Sequence, residues 1–177
     1  MNLFVLDTDP AKAAAGLDDK RIGSALRECN QMMSTAVIRH ATDSVRGTME
    51  LGTGLLCQPT HQQHPVTLWV GATIGNFTWC YQHTRALIKE WQLRYGTTHA
   101  SGDRTPYIWK FNGCIPDGPL LTFQNSARHE GMGLDFSHLL VPHSYRMYLM
   151  ERWKTDKRAP SYTNREWPEW AKSHLPA

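Results

Sequence analysis

The stretch from Lys20 to Val37 constrains the fold more than any other part of the chain. With Lys20 at 0° and a step of about 100° per residue, Ile22, Ala25, Leu26, Cys29, Met32, Met33, Ala36 and Val37 fall in an arc from roughly 120° to 260°. Lys20, Ser24, Arg27, Glu28 and Gln31 fall on the other side. A helix with one continuous apolar stripe must bury that stripe against other elements, so the pattern predicts a mainly α protein. The 177 residues are 41% apolar and 20% charged, which is enough to build one packed core. The expectation is a single compact helical domain over residues 1–177.

The flanking segments supply partners for that helix. Leu3 to Leu6 is a short apolar run that reads as a short N-terminal strand or as the start of a buried segment. Asp9 before Pro10 is an N-cap followed by a proline suited to a first helical turn, so a short Ala-rich helix is predicted to about Leu17. Thr42 to Gly54 reads as loop. A second long helix is predicted from Pro65, capped by His64, to a stop at Gly96. Gly71 and Gly75 lie inside it, where glycine costs about 1 kcal/mol against alanine. Either another backbone approaches closely there or the helix bends at Gly75. Residues 97–140 are broken by glycines and prolines, and a connection of that length is often functional. Met147 to Trp153 reads as helix again.

Several function classes are excluded. The chain has no Gly-rich phosphate loop, no HExxH and no GxSxG. Cys29, Cys57, Cys80 and Cys114 include no CxxC pair, and they read as free thiols in a reducing cytoplasm. Neither a signal-peptide pattern nor an apolar run long enough to span a membrane is present, so a cytoplasmic protein with no membrane partner is expected. The net charge of +3 permits nucleic-acid binding without demanding it.

Three groups of residues carry possible chemistry. On the polar face of the first long helix, Lys20, Arg27 and Gln31 lie within about 40° of one another, with Glu28 at the edge. Arginine and lysine bind phosphate, a lysine among cations can act as an amine nucleophile, and a glutamate can serve as acid or base. The same face can equally be a solvated surface with helical ion pairs. His61 and His64, in Thr60-His61-Gln62-Gln63-His64-Pro65, are a second group. They could shape a pocket or shuttle protons; the plainer use is His64 as a cap and His61 at the surface. A metal-dependent phosphodiesterase would need further ligands, and no spacing ties Asp7, Asp9, His99 or Asp117 to the pair, so neither metal nor other cofactor is expected. The third group is C-terminal: Arg146, Arg152, Lys154, Lys157, Arg158 and Arg165 interleave with Trp153, Tyr162, Trp167 and Trp170. Cations beside aromatic rings suit unpaired bases, and a tail packed onto the core would look the same.

Taken in order, these residues resemble a family of small bacteriophage proteins. The shared features read here as Leu3–Pro10, Asp19-Lys20-Arg21, Glu28 and Gln31, Thr60-His61-Gln62-Gln63-His64-Pro65, Arg94-Tyr95-Gly96 with His99, Pro116-Asp117, Tyr145-Arg146, and Arg165-Glu166-Trp167-Pro168-Glu169-Trp170. The chain departs from the family where Arg21 replaces a histidine and where Leu17 replaces another. In layout the chain is also similar to phage pyrimidine-dimer DNA glycosylases of the endonuclease V type. That similarity implies an N-terminal amine as nucleophile, a glutamate on the early helix, and a base extruded from the duplex. The glutamate here would be Glu28, beside Arg27. Met1 is usually retained before a residue such as Asn2, so the amine would belong to Met1, unless Lys20 takes its place.

The leading expectation is therefore an enzyme acting on DNA bases, by glycosylase or lyase chemistry or by substitution on a modified base. Lys20, Glu28, His61 and His64 would form the catalytic set. Arg21, Arg27, Gln31, Arg146, Arg165, Trp167 and Trp170 would hold nucleic acid. The alternative is a non-enzymatic accessory protein that binds nucleic acid or a host protein.

Overall fold

The structure, a computed structural model, describes residues 1–49 and 55–174. Seven helices carry it: α1 (Pro10–Ala15), α2 (Asp19–His40), α3 (Asp43–Arg46), α4 (Pro65–Val70), α5 (Ile74–Tyr95), α6 (Arg104–Trp109) and α7 (Val141–Trp153). The only sheet among the described residues is a two-residue hairpin, β1 (Arg128–His129) antiparallel to β2 (Leu134–Asp135), with Arg128 opposite Asp135. The protein is mainly α, as the helix stripe requires. No described helix is long and apolar enough to cross a membrane.

The predicted stripe of α2 is the centre of the core. Ile22, Ala25, Leu26, Cys29, Met32, Met33, Ala36 and Val37 are all buried, and α5 and α4 pack on them. Asp18 caps α2 by accepting from the Arg21 amide. Asp9 caps α1, accepting from Ala11 and Lys12, with Pro10 in the first turn. The Leu3–Leu6 run is buried but is not a strand. It turns sharply at Phe4, whose φ of 47° is uncommon for a bulky residue, and the Leu6 amide donates to the Phe4 carbonyl at 2.7 Å.

The single helix expected from Pro65 to Tyr95 is two helices. Gly71 ends α4 and Thr73 caps α5. Asn76 stitches the break: its Nδ2 donates to the Trp69 carbonyl at 2.7 Å, and its Oδ1 accepts from the Leu121 amide at 2.8 Å. Gly75 is where the close approach falls. A Cβ there would lie 2.3 Å from the Leu120 nitrogen, so only glycine lets the 118–120 backbone cross α5 at this point. The segment Thr42–Gly54, read as loop, contains the single turn α3; residues 50–54 lie outside the described residues. Residues 97–140 hold α6 and the hairpin between extended segments.

The C-terminal tail is latched to the start of α2 and the end of α5. Asp19 accepts from the Thr163 amide and from the Ser161 and Thr163 hydroxyls. Fully buried Arg94 donates to the Leu17 and Ala15 carbonyls and pairs with Asp19 at 3.0 Å and with Glu90 at 3.3 Å. Arg165 reaches the other oxygen of Glu90 at 2.9 Å, and the Tyr162 hydroxyl donates to the Gly16 carbonyl.

Candidate active site

The turn at Phe4 folds the N-terminus back against the polar edge of α2. The Asn2 side chain accepts from the Phe4 amide, and the Asn2 amide donates to Glu28 Oε2 at 2.7 Å. The Met1 amine lies 3.9 Å from the same oxygen. The Met1 side chain is only 2% exposed, and its sulfur accepts from the Thr67 hydroxyl of α4. The amine is thus held at its place from both sides.

A cleft of about 460 Å³ opens over this group. Its α2 wall is Lys20, Arg21, Ser24 and Glu28; His64 and Pro65 begin α4; Arg128 and His129 come from the hairpin; Tyr148 and Arg152 come from α7. Glu28 is the one carboxylate among these lining residues, facing Lys20, Arg21, Arg128 and Arg152. Along its wall the cleft therefore carries more cationic side chains than carboxylates.

The cations are not equivalent. Lys20 Nζ lies 2.6 Å from Asp156 Oδ1. Arg21 is buried and pairs with Asp18 at 2.6 Å and Asp156 at 2.9 Å, while the Trp153 indole also donates to Asp18. Burial pushes the Asp156 carboxyl up, but Lys20 and Arg21 outweigh this and hold it below the usual carboxylate range. His64 accepts from the Val66 amide through Nδ1 at 3.3 Å, the capping role read from the sequence. Burial, then the Met1 amine, His61 and Arg128, lower its pKa, so it is a neutral imidazole at pH 7.

The predicted residues therefore separate. Lys20, Arg21, Glu28 and His64 line one cleft. His61 is exposed outside it, with φ of 47° and Nδ1 2.8 Å from the Thr60 hydroxyl. Arg27 is exposed on α2 near His99, and Gln31 lies partly buried one turn further on; neither lines the cleft. Arg146 donates to the Leu6 carbonyl at 2.9 Å and sits over the Trp170 ring, while Arg165 belongs to the tail latch. Trp170 stacks on Trp153 with centroids 5.7 Å apart, and Trp167 meets Trp153 and Tyr162 edge-on or tilted. The aromatic tail is placed as packing on α7. Among the described residues no group of three metal-ligating side chains assembles.

Sequence reasoning did not single out Asn2, Ser126, Arg128, His129 or Tyr148, and it placed Arg152 only in a diffuse basic cluster. Asn2 acts through backbone, which residue type cannot reveal. Arg128 and His129 lie in the weakly patterned stretch, and the i, i+4 spacing of Tyr148 and Arg152 on α7 was the one available signal.

The cleft thus brings the Met1 amine and a single carboxylate together among cationic side chains. In the comparison with known families, residues 1–102 match the model for pyrimidine dimer DNA glycosylase, and the chain belongs to that family. No curated protein and no solved structure matches it. The matched segment includes Met1, Lys20, Arg21, Glu28 and His64, whereas Ser126, Arg128, His129, Tyr148 and Arg152 complete the cleft from beyond it.

Proposed function

We propose that this protein is a DNA base-excision enzyme in which the amine of Met1 is the nucleophile and Glu28 the proton acceptor. The observation that carries the reading is the 3.9 Å separation of the Met1 amine and Glu28 Oε2 inside the cationic cleft. Lys20, the other candidate amine, is held by Asp156, which supports a phosphate-facing or scaffolding role for it.

In this reading a damaged or modified nucleotide is extruded into the cleft, at a cost of a few kcal/mol that is smallest for distorted sites. The amine gives a proton to Glu28 and its lone pair attacks C1′. The glycosidic bond breaks, and its electron pair leaves with the base, which takes up a proton. Loss of the second amine proton with opening of the sugar ring leaves an imine. Removal of a C2′ proton then expels the 3′ phosphate and cuts the strand. Arg128, which has no ion pair among the described residues, faces a flanking phosphate, and neutral His64 is a hydrogen-bond donor through Nε2.

Borohydride trapping tests the reading on duplexes carrying ultraviolet dimers, abasic sites or hydroxymethyluracil. The expected outcome is a covalent adduct whose DNA-linked peptide contains Met1, retained in Lys20→Ala. An adduct that maps to Lys20 would move the nucleophile there. Absence of any adduct or strand change on every substrate would overturn the lyase chemistry.

A further inference from the structure

Arg152 stands apart from the paired cations of the cleft. Arg21 is neutralised by Asp18 and Asp156, and Lys20 by Asp156, whereas Arg152 and Arg128 make no ion pair among the described residues, and of these two only Arg152 is held in place by a hydrogen bond to a neighbouring side chain. Its Nη1 donates to the Tyr148 hydroxyl, one turn earlier on α7, at 2.9 Å. Its Nε is buried with no hydrogen-bond partner. Tyr148 in turn packs against Phe4, the residue at which the N-terminal segment turns toward Glu28. The guanidinium is therefore pinned at one corner, carries an uncompensated charge, and keeps the edge formed by Nε and Nη2 free of any protein acceptor among the described residues.

A buried N–H without an acceptor is costly, and one kept in a native structure calls for an explanation, a bound anion among them. The Nε–Nη2 edge is the two-pronged face with which arginine meets two oxygens of one oxyanion. A lone-pair acceptor of neutral charge would satisfy Nε but leave the positive charge unmatched.

We propose that Arg152, oriented by Tyr148, is the anchor for the phosphodiester that flanks the processed nucleotide, gripping its two non-bridging oxygens through Nε and Nη2. The inference rests on the base-excision reading for the identity of the polyanion. It adds a residue on α7, outside the family-matched segment, that fixes the strand while Met1 and Glu28 act on the sugar. A rim lysine would supply charge without register; a pinned guanidinium supplies both.

The test is a binding experiment in which no bond is cut. Wild type, Arg152→Gln and Arg152→Lys are titrated against a duplex with a tetrahydrofuran abasic analogue. Each linkage near the analogue is replaced in turn by an uncharged methylphosphonate. Wild type is expected to lose about tenfold in affinity at one linkage, the scale of a charge-assisted contact. Arg152→Gln binds the unmodified duplex about tenfold more weakly and is indifferent to the same substitution, and its salt slope falls by about one. Arg152→Lys, which keeps the charge and the packed stem, restores the salt slope but not the sensitivity to that linkage. Thermal unfolding of both variants establishes that the fold is intact. If wild type binds duplex and traps abasic DNA while Arg152→Gln keeps full sensitivity at every linkage, the anchor is overturned alone. If wild type binds no duplex, the excision reading falls and this proposal with it.

Discussion

At the scale of single residues, Glu28 and Lys20 lie eight positions apart on α2 and line the same cleft, yet their surroundings give them different work. Glu28 holds two nitrogens of the N-terminal segment, whereas Lys20 is tied to Asp156 at the cleft's edge. Glu28→Gln is expected to lower single-turnover base release by roughly 10²-fold or more, the range for loss of a general base. Lys20→Ala should change it far less, because its charge is already matched. Single-turnover rates on one damaged duplex compare the two directly, and a larger loss in Lys20→Ala would reverse their roles. Arg21 illustrates a related point: a cation can line a cleft and still be mostly structural, since its partners Asp18 and Asp156 are buried with it.

At the scale of elements, the long stripe of α2 was legible because burial on one face imposes a period, and every residue of the stripe is in the core. The caps at Asp9 and His64 were legible for a similar reason, since side chain and amide must meet within a turn. The break after Gly71 was not, because the apolar residues of α4 and α5 together look like one continuous helix. What breaks it is a long-range contact: the 118–120 backbone crosses at Gly75 and binds Asn76. Gly75→Ala would place a methyl group against main chain that cannot yield as a side chain would. It should destabilise the protein by about 3 kcal/mol or more, measured by denaturant unfolding. A loss under about 0.5 kcal/mol would mean that the crossing segment moves freely. The cleft itself was half legible. Its α2 residues share a face, but Arg128, His129, Tyr148 and Arg152 come from segments whose placement depends on the whole packing, and the Met1 amine carries no signature of its own.

At the scale of the molecule, two buried polar groups couple stability to conditions. His83 is fully buried on Trp79; its Nδ1 donates to the Pro10 carbonyl and its Nε2 has no hydrogen-bond partner. Burial, only partly offset by the Pro10 carbonyl, lowers its pKa from 6.5 to about 4. The unfolded chain therefore takes up a proton on this ring near pH 6.5, and the folded chain only near pH 4. Stability falls as pH drops through that window, by an amount on the order of 3 kcal/mol at 1.36 kcal/mol per unit. His83→Asn, which keeps a donor for Pro10 but does not titrate, should flatten the curve of unfolding free energy between pH 4 and 6.5. An unchanged slope would assign the dependence elsewhere. Arg94 is the second group. It holds α1, α5 and the tail together through Asp19, Glu90 and two carbonyls, so Arg94→Met removes the guanidinium that Asp19 and Glu90 share, leaving Glu90 with Arg165 and Asp19 with neutral donors, and strips the Leu17 and Ala15 carbonyls of their buried donor. The expected loss is about 3–5 kcal/mol, read from the melting temperature, with the Trp167 and Trp170 fluorescence reporting release of the tail.

The cleft takes one wall from the first residues of the chain and another from α7, which ends at Trp153. During synthesis Met1 and Glu28 emerge well before Tyr148 and Arg152. A nascent chain therefore carries one wall of the cleft without the other. The cleft is complete only once α7 has been made and has packed beside the N-terminal turn.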